Sequence, residues 1–226
     1  MSSWSEPRVA VVTGGGSGIG LAISERLGID GAAIAVFDRD GDSAQAAASK
    51  IEASGGRAIG LEVDVTDRPR IEKAMAEVAD RLGPPLILVN NAGRDSFVRF
   101  LDITIEHWNQ TLDVNLTGAF HCCQVVLPYM LEARWGRIVN ISSSSTHSGT
   151  PRMTAYVASK SAVIGLTKCL ALEFGRKGIT VNTIPPGFID TPMLRAADAA
   201  GQLDIETAIK MTPVGRAGKP EDIAAA

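Results

Sequence analysis

The sequence predicts an α/β protein with a doubly wound parallel sheet and helices on both faces. Short runs rich in Val, Ile, Leu and Ala alternate with longer stretches that carry apolar residues at three- and four-residue steps. The short runs are nearly continuous in apolar residues, which is typical of parallel strands buried on both faces. A glycine-rich turn follows the first run. In such a sheet, ligands bind beyond the carboxyl ends of the strands, so the chemistry is expected just after each strand.

Six strands and five helices account for the pattern. The apolar runs predicted as strands are RVAVVTG (8–14), AAIAVFD (32–38), RAIGLEVD (57–64), LILVNNAG (86–93), GRIVNISS (136–143) and GITVNTIPPG (178–187). Helical periodicity predicts helices over 18–29, 41–54, 67–82, 104–132 and 154–176. The sequence contains neither a repeat nor a low-complexity linker, and we expect residues 1–226 to form a single domain.

Composition excludes several classes of function. The chain is 45% hydrophobic and 21% charged, which suits a globular domain with a buried core, and its net charge of −3 with scattered Lys and Arg argues against nucleic-acid binding. The start, MSSWSEPRVAVVTGG, lacks the basic and apolar segments of a signal peptide. Nor does any window approach the roughly 18 apolar residues of a membrane span. We therefore expect a cytoplasmic protein that does not enter a membrane.

The cysteines and histidines predict no metal site or disulfide. Cys122, Cys123 and Cys169 have neither a disulfide nor a metal-ligand spacing, and packed, reduced thiols are expected. The histidines, at 107, 121 and 147, are too dispersed for a metal triad. His147 lies in a loop between two candidate catalytic residues, so a substrate-facing role and a plain loop position are both open.

A phosphate-binding turn is predicted at TGGGSGIG, Thr13 to Gly20. The turn does not fit the GxGxxG template, but it offers Gly14, Gly18 and Gly20 between a β-branched strand and an amphipathic helix. Glycines there let the backbone approach a pyrophosphate at the helix N-terminus. The alternative is a tight turn that needs only glycine torsions.

The second predicted strand ends at Asp38, near the spacing of about 20 residues at which an acid reaches a ribose 2′-hydroxyl. A carboxylate repels a 2′-phosphate, and Ser17 before Gly18 offers no basic side chain, so NAD is favoured over NADP. Arg39 could instead swing toward a 2′-phosphate, and Asp38 could be a strand-end turn former.

Tyr156 and Lys160, in YVASK, lie four residues apart and share a helical face. The pair could be an ordinary solvated surface or a base with the cation that tunes it. The ordinary pKa of tyrosine is about 10, and a nearby ammonium together with the positive nicotinamide ring would lower that pKa toward the working pH.

Four motifs together resemble the short-chain dehydrogenase/reductase (SDR) family: TGGGSGIG, NNAG at 90–93, YVASK, and PG at 186–187. The resemblance runs from Val9 to about Ile223 and is strongest to 3-oxoacyl-thioester reductases and hydroxyacyl-CoA dehydrogenases. It implies a Rossmann-like domain that interconverts a secondary alcohol and a ketone by hydride transfer with NAD(H), and a homo-oligomer, dimer or tetramer.

The resemblance also implies a catalytic tetrad of Asn115, Ser143, Tyr156 and Lys160. Ser143 is selected from the serines at 142–145 because it lies 13 residues before Tyr156. Tyr156 would be the general acid/base, and Ser143 would stabilise the substrate oxygen. Lys160 would tune Tyr156 and hold the nicotinamide ribose, while Asn115 would hold a water that connects Lys160 to solvent.

Further positions follow from the motifs and the resemblance. The expected cofactor-binding residues are Gly14, Ser17, Gly18, Ile19, Gly20, Asp38, Asp64, Val65, Asn91, Ala92, Gly93, Tyr156, Lys160, Pro186, Gly187, Ile189 and Thr191. By the resemblance, Asp64 and Val65 would face the adenine, and Asn91 to Gly93 would face the adenosine ribose. The residues expected at the substrate rim are Arg94, Asp95, Phe97, Arg152 and Met153.

The sequence departs from the family pattern at its end, where GRAGKPEDIAAA stops inside the helix that precedes the family's last strand. We therefore expect that strand to be missing. Two other interpretations stay open. The chain could be a dinucleotide-binding redox sensor or scaffold without catalysis, or the substrate could be a small cyclic alcohol, sugar or steroid rather than a thioester.

Overall fold

The structure, a computed structural model, describes residues 8–226, apart from the side chain of Met211. Six parallel strands form one sheet in the order β3-β2-β1-β4-β5-β6. The strands are β1 (Val9–Thr13), β2 (Ala33–Asp38), β3 (Arg57–Glu62), β4 (Pro85–Asn90), β5 (Gly136–Ile141) and β6 (Ile179–Ile184). The chain order reverses between β1 and β4, which confirms the predicted doubly wound sheet. The expectation about a signal segment falls partly on residues 1–7, which lie outside the described residues.

Helices connect the strands and cover both faces. They are α1 (Gly18–Ile29), α2 (Gly41–Ala53), α3 (Arg68–Arg81), α4 (Ile105–Leu112), α5 (Gly118–Ala133), α6 (Ser145–Ser148), α7 (Thr154–Phe174), α8 (Pro192–Ala199), α9 (Ile205–Met211) and α10 (Pro220–Ala224). One predicted helix, 104–132, is wrong as a continuous element. A π turn at Asp113–Thr117 divides it into α4 and α5.

Alternate residues of the central strands point to two separate cores. Val11 and Phe37 face the side covered by α3 and α5. Ile34 and Val36 face the side covered by α1 and α2. Burial on both faces explains why these strands read as continuous apolar runs. The polar residues that follow the strands are thereby brought to one edge of the sheet.

The edge strand β6 differs from the others. Ile179 and Val181 are buried, whereas Thr180 and Asn182 are exposed. The expectation of six strands buried on both faces is therefore wrong for β6, because α7 packs on one of its faces and the other is open in the described residues. Within residues 8–226, the strand pairs with β5 alone.

Two expectations about α7 are also corrected. The segment Thr154–Lys177 is long and apolar enough, by length and composition, to cross a membrane, although no such window was expected. A sheet-packing helix passes the same test, and α7 does pack against β5 and β6. Cys169 on this helix is exposed, whereas Cys122 and Cys123 are buried, so only two of the three thiols are packed as expected.

Candidate active site

Tyr156 and Lys160 lie in the first two turns of α7 and share a face, as their spacing predicts. The Lys160 Nζ is 5.9 Å from the centroid of the Tyr156 ring. Tyr156 is half-buried, and Lys160 is only 4% exposed. A buried ammonium is costly unless it has a partner, so the solvated-surface interpretation does not apply to this pair.

Lys160 is anchored to the end of β5. Its Nζ donates a hydrogen bond of 2.8 Å to the main-chain oxygen of Ile141. Burial lowers the pKa of Lys160 to about 8, so the ammonium keeps its charge at neutral pH and loses it as the pH rises. An ammonium has three N–H donors, and this contact uses one.

The protonation of Tyr156 differs from the expectation. Burial raises the pKa of the Tyr156 phenol, the neighbouring Ser143 hydroxyl lowers it, and the negative charge of Asp95 raises it further. The expected lowering of the Tyr156 pKa counted the positive nicotinamide ring as well as Lys160, whereas in the chain alone this pKa is raised. Burial is the main cause, because a phenolate loses more solvation than a phenol in an apolar setting.

Ser143 is the serine of its run that faces Tyr156. The Oγ of Ser143 lies 2.8 Å from the Oγ of Ser145, and the Ser143 hydroxyl lowers the pKa of Tyr156. Ser142 is instead buried and donates to the main-chain oxygen of Ile184. Ser145 was not predicted, and its contact with Ser143 fixes the orientation of that hydroxyl.

Asn115 lies in the π turn and is 2% exposed. Its Oδ1 accepts a hydrogen bond of 2.8 Å from the Arg94 amide, and its Nδ2 donates to the Arg94 carbonyl oxygen and to the Ser159 Oγ, both at 3.0 Å. The side chain therefore joins the loop after β4 to α7. A π turn is a common device for re-aiming a functional residue.

Gly93 marks the point where these groups meet. A Cβ atom placed on Gly93 would lie 3.3 Å from both the Asn115 Oδ1 and the Lys160 Nζ. Only a residue without a side chain leaves that space open between them. Asn115, Ser143, Tyr156 and Lys160 therefore surround one region at the carboxyl ends of β4 and β5.

The glycine turn fits an anionic ligand. The N-cap of α1, Ser17, makes no side-chain cap, and the first turn of α1 has no acidic residue. Side chains cap α2, α3, α4, α8 and α9, whereas α5, α6 and α7, like α1, have no side-chain cap. Gly14 and Gly18 have φ values of 61° and 51°, which favour glycine. The free N–H groups at this end suit the pyrophosphate of a dinucleotide.

Asn91 and Thr13 hold the turn in place. The Asn91 Nδ2 donates to the Thr13 and Gly14 carbonyl oxygens, each at 3.0 Å. The Thr13 Oγ1 accepts from the Asn91 and Ala92 amides at 3.1 and 3.0 Å. Asn91 was predicted to face the ribose, but its side chain supports the turn. Thr13 was not selected, although its place at the end of β1 was a usable signal.

Asp38 also supports the turn. Its Oδ2 accepts from the Gly16 amide at 3.0 Å and its Oδ1 from the Asp40 amide at 3.1 Å. These are the contacts of a strand-end turn former. Two carboxylate oxygens have about four acceptor positions, so Asp38 keeps capacity for a ribose hydroxyl.

The remaining cofactor positions divide into two groups. Asp64 is exposed, and its carboxylate accepts from the Thr66 amide and hydroxyl at 2.8 Å. Val65 and Ile189 are buried, so their side chains belong to the core and only their main chains could contact a ligand.

The loop after β6 closes over the glycine turn. The Pro186 carbonyl oxygen accepts from the Ser144 amide at 2.9 Å, which ties this loop to the one that carries Ser143. Gly187 is exposed beside them. Thr191 caps α8, and a Cβ on Gly18 would lie 3.5 Å from the Thr191 Cγ2. The main chain of Ile19 and Gly20 in α1 thus lies below this loop.

The predicted rim residues frame the site. The Val98 amide donates to the Arg152 carbonyl oxygen at 2.8 Å, which joins the loop after β4 to the turn before α7. Asp95, Phe97 and Met153 are half-buried, whereas Arg152 is exposed.

The histidines are scattered, as their positions in the sequence suggest. His107 bonds Ser96 through Nε2 at 2.7 Å, and His147 is exposed on α6. His121 Nδ1 lies 3.5 Å from the Val65 carbonyl oxygen. Within residues 8–226, no group of three or more His, Cys, Asp or Glu side chains is arranged to hold a metal ion.

Comparison with known proteins gives consistent results. The sequence model of a family described as short chain dehydrogenase matches residues 8–201. A 3-oxoacyl-[acyl-carrier-protein] reductase of Thermotoga maritima is 37% identical over 97% of this chain and 88% of its own length. D-threitol dehydrogenase of Mycolicibacterium smegmatis is 38% identical over 97% of this chain and 84% of its own length.

Among solved structures, a single-residue variant of actinorhodin polyketide ketoreductase with NADPH has a TM-score of 0.94 and 37% identity, covering 100% of this chain and 90% of its own. A putative NAD(P)-dependent gluconate 5-dehydrogenase from Beutenbergia cavernae, with bound NADP, has a TM-score of 0.90 and 33% identity, covering 99% of this chain and 88% of its own.

Proposed function

Because the chain belongs to the short-chain dehydrogenase family, we propose that Tyr156 is the general acid/base of an NAD-dependent alcohol dehydrogenase or ketone reductase. The chain is an oxidoreductase that interconverts an alcohol and a ketone with a nicotinamide cofactor, as its relatives support.

The observation that supports the proposal is the convergence of Tyr156, Lys160, Ser143 and Asn115 beside the uncapped N-terminus of α1. A dinucleotide whose pyrophosphate lies at α1 would extend toward Gly93, where Lys160 and Asn115 meet. A redox sensor has no need of a buried lysine beside a half-buried phenol at that point, so the geometry favours the enzyme.

The bound nicotinamide supplies the hydride acceptor or donor. The chain supplies the proton chemistry. During alcohol oxidation the Tyr156 oxygen takes the proton of the substrate hydroxyl, and during ketone reduction it returns that proton. The Ser143 Oγ stabilises the developing charge on the substrate oxygen.

Lys160 and Asn115 prepare Tyr156 for this exchange. The Lys160 ammonium favours the phenolate, and its two N–H groups not used by Ile141 are available to the nicotinamide ribose. Asn115 fixes the loop after β4 against α7 and, through the π turn, is placed to hold a water beside Lys160.

NAD is the proposed cofactor because Asp38 lies at the end of β2, where a carboxylate accepts from a ribose 2′-hydroxyl and repels a 2′-phosphate. Two related structures hold NADPH or NADP, so NADP is the direct competitor. Arg39 is exposed and adjacent to Asp38. We expect Asp38→Ser to improve the ratio of NADP to NAD activity at least tenfold, and Asp42→Ser, on the exposed first turn of α2, to leave it unchanged.

A 3-oxoacyl or 3-hydroxyacyl thioester is the proposed substrate. Several relatives are named as 3-oxoacyl-[acyl-carrier-protein] reductases, and one is a subunit of a hydroxy(phenyl)methylsuccinyl-CoA dehydrogenase from Thauera aromatica. A small polyol is the competing class, since D-threitol dehydrogenase is similarly close.

A panel of alcohols and ketones tests the function. Hydroxyacyl-CoAs, polyols and cyclic alcohols are each offered with NAD and, in parallel, with NADP, and the absorbance of the reduced nicotinamide is followed. Turnover of a hydroxyacyl-CoA with NAD is the expected result. Cofactor binding without turnover of any compound, unchanged by Tyr156→Phe, would favour the sensor instead.

The chain is also proposed to be one catalytic domain, cytoplasmic and homo-oligomeric. Apolar side chains on the outer surfaces of α5 and α7 support self-association, since Phe120 is 43% and Leu172 is 87% exposed. Light scattering after size exclusion should give a dimer or tetramer. Leu172→Glu should lower that mass if α7 contributes to the interface.

A further inference from the structure

The rim of the site contains a carboxylate that no other residue neutralises directly. Asp95 lies two residues after Gly93 and is half-buried. Within the part of the chain that the structure describes, its side chain makes no hydrogen bond to another residue and no ion pair. The adjacent Arg94 guanidinium is directed instead to the Gln110 Oε1, at 3.1 Å. Burial raises the pKa of Asp95, and the Arg94 charge lowers it.

The main chain around Asp95 is fixed on both sides. On one side, the Arg94 amide and carbonyl both bond the Asn115 side chain. On the other, the buried Ser96 hydroxyl bonds His107 at 2.7 Å, and the Val98 amide bonds the Arg152 carbonyl oxygen at 2.8 Å. Such a loop cannot carry Asp95 away from the site without breaking several hydrogen bonds.

Hydrogen bonds also attach the loop that carries Asp95 to α7. Asn115 donates to the Ser159 Oγ, and the Ser159 hydroxyl donates to the Tyr156 carbonyl oxygen at 2.7 Å. Arg152 immediately precedes α7. The loop is therefore attached to α7 on either side of Tyr156, and Asp95 lies between the two attachments.

Several charged or titratable side chains belong to the elements around Tyr156, namely Lys160 on α7, Arg94 and Asp95 after β4, His147 on α6 and Arg152 before α7. Of these, the Asp95 charge raises the pKa of the Tyr156 phenol. This effect is separate from those of burial and of the Ser143 hydroxyl. The Lys160 Nζ lies 5.9 Å from the centroid of the Tyr156 ring.

We propose that Asp95 is a positioning residue for proton transfer, whose fixed negative charge favours the protonated form of the Tyr156 hydroxyl. The inference rests on the proposed function, in which Tyr156 is the general acid/base. Alcohol oxidation needs the deprotonated phenol, so Asp95 shifts the onset of alcohol oxidation to higher pH. Ketone reduction needs the protonated phenol and is maintained to higher pH.

The direct test reads Tyr156 without any substrate. The chain has two tyrosines, so protein labelled with 13C at the tyrosine Cζ gives two signals, and Tyr129→Phe assigns the one from Tyr156. We expect Asp95→Asn to lower the pH at the midpoint of the Tyr156 titration by about 0.5 to 1 unit. The matched control is Asp102→Asn, which removes the same charge from an exposed position of the same loop.

Activity provides the second readout. In Asp95→Asn, the acid limb of the pH profile of kcat/KM for alcohol oxidation should move to lower pH by a similar amount, and Asp102→Asn should keep the wild-type profile. Asp95→Glu restores the charge and should return both readouts toward wild type.

Two results would overturn the inference. One is a Tyr156 midpoint in Asp95→Asn that equals the wild-type value in correctly folded protein. The other is a shift of the same size in Asp95→Glu, which would assign the effect to loop geometry rather than charge. If no alcohol is oxidised at all while the titration shifts as expected, the proposed function fails and the electrostatic role of Asp95 does not.

Discussion

The glycine turn and the first turns of α7 lie at the same edge of the sheet but are stabilised in opposite ways. Around the turn, the polar side chains of Thr13, Asp38 and Asn91 bond main-chain groups. Around α7, burial lowers the pKa of Lys160 and raises that of Tyr156, so the charged form of each group is disfavoured. The polar groups of the glycine turn are paired by hydrogen bonds, whereas burial at the start of α7 raises the free energy of the charged forms of Lys160 and Tyr156.

This difference separates stability from activity within one site. A change in the glycine turn should weaken the fold, because buried main-chain groups lose their hydrogen-bond partners or the space they occupy. A change to Tyr156 or Lys160 at the start of α7 should abolish catalytic activity and leave the fold intact or make it more stable. This is common where function and stability compete. Each of the following substitutions tests one side of that division.

Tyr156→Phe should have the largest effect. It removes the oxygen that exchanges the proton, so kcat is expected to fall by at least about 10³-fold. Phenylalanine retains the ring, and the thermal midpoint of unfolding should change little. Steady-state kinetics and thermal unfolding measure the two quantities on the same preparation. Residual turnover within tenfold of wild type would show that another group moves the proton.

Gly20→Ala should produce the largest loss of stability. A Cβ on Gly20 would lie 2.1 Å from the Gly14 carbonyl oxygen and 2.5 Å from the Asn91 Nδ2, so the turn must shift. The expected loss is about 2 to 4 kcal/mol in the free energy of unfolding, measured by urea denaturation, with weaker cofactor binding.

Gly175→Ala is the matched control for Gly20→Ala. A Cβ at that position meets nothing within 4 Å, and the φ of −56° suits alanine. The free energy of unfolding should stay the same or rise by up to about 1 kcal/mol. An equal loss in both variants would mean that the close approach at Gly20 is not the cause.

Lys160→Met should change stability less than Gly20→Ala does, and with the opposite sign. The pKa of Lys160 is lowered to about 8 from an ordinary 10.5, so the folded state holds the ammonium at a cost when the pH is below 8. That cost shrinks as the pH rises from 8 toward 10.5. Methionine removes it but leaves the Ile141 carbonyl oxygen without its partner. A net gain of about 1 kcal/mol is expected at neutral pH, together with loss of activity.

The pH dependence distinguishes this cause from improved packing. The gain in Lys160→Met should be largest at neutral pH and should disappear in alkaline solution, as followed by thermal unfolding across the range. A gain that is constant with pH would point to packing, and a loss at all pH values would mean that the hydrogen bond to Ile141 outweighs the cost of burial.

Much of the architecture was predictable from the sequence. Runs such as LILVNNAG show strands buried on both faces, and α1 and α3 lie within one residue of their predicted limits. The spacing of Tyr156 and Lys160 placed them on one face of α7, because helical geometry alone fixes that relation. The glycine turn was located by the strand before it and the helix after it.

Other features depend on contacts that a sequence does not display. The π turn at Asp113–Thr117 adds one residue to a turn, which leaves the apolar periodicity of 104–132 almost unchanged. The direction of the Tyr156 pKa depends on burial and on Asp95, which the spacing to Lys160 cannot reveal. Asn91 was expected at the adenosine ribose, and its side-chain amide supports the glycine turn. The sequence cannot separate the two roles, because both need an asparagine at this position.

The free edge of β6 in the described residues bears on how this chain behaves in concentrated solution. An unpaired strand offers a row of N–H and C=O groups that can pair with another extended segment. The exposed residues Thr180 and Asn182 carry no charge that would oppose such pairing. Within residues 8–226, β6 is therefore a place where an extended segment, from this chain or from another, can add a strand. Asn182→Lys would add a positive charge to β6 that opposes such pairing, and it would leave the catalytic residues at the carboxyl end of the sheet unchanged.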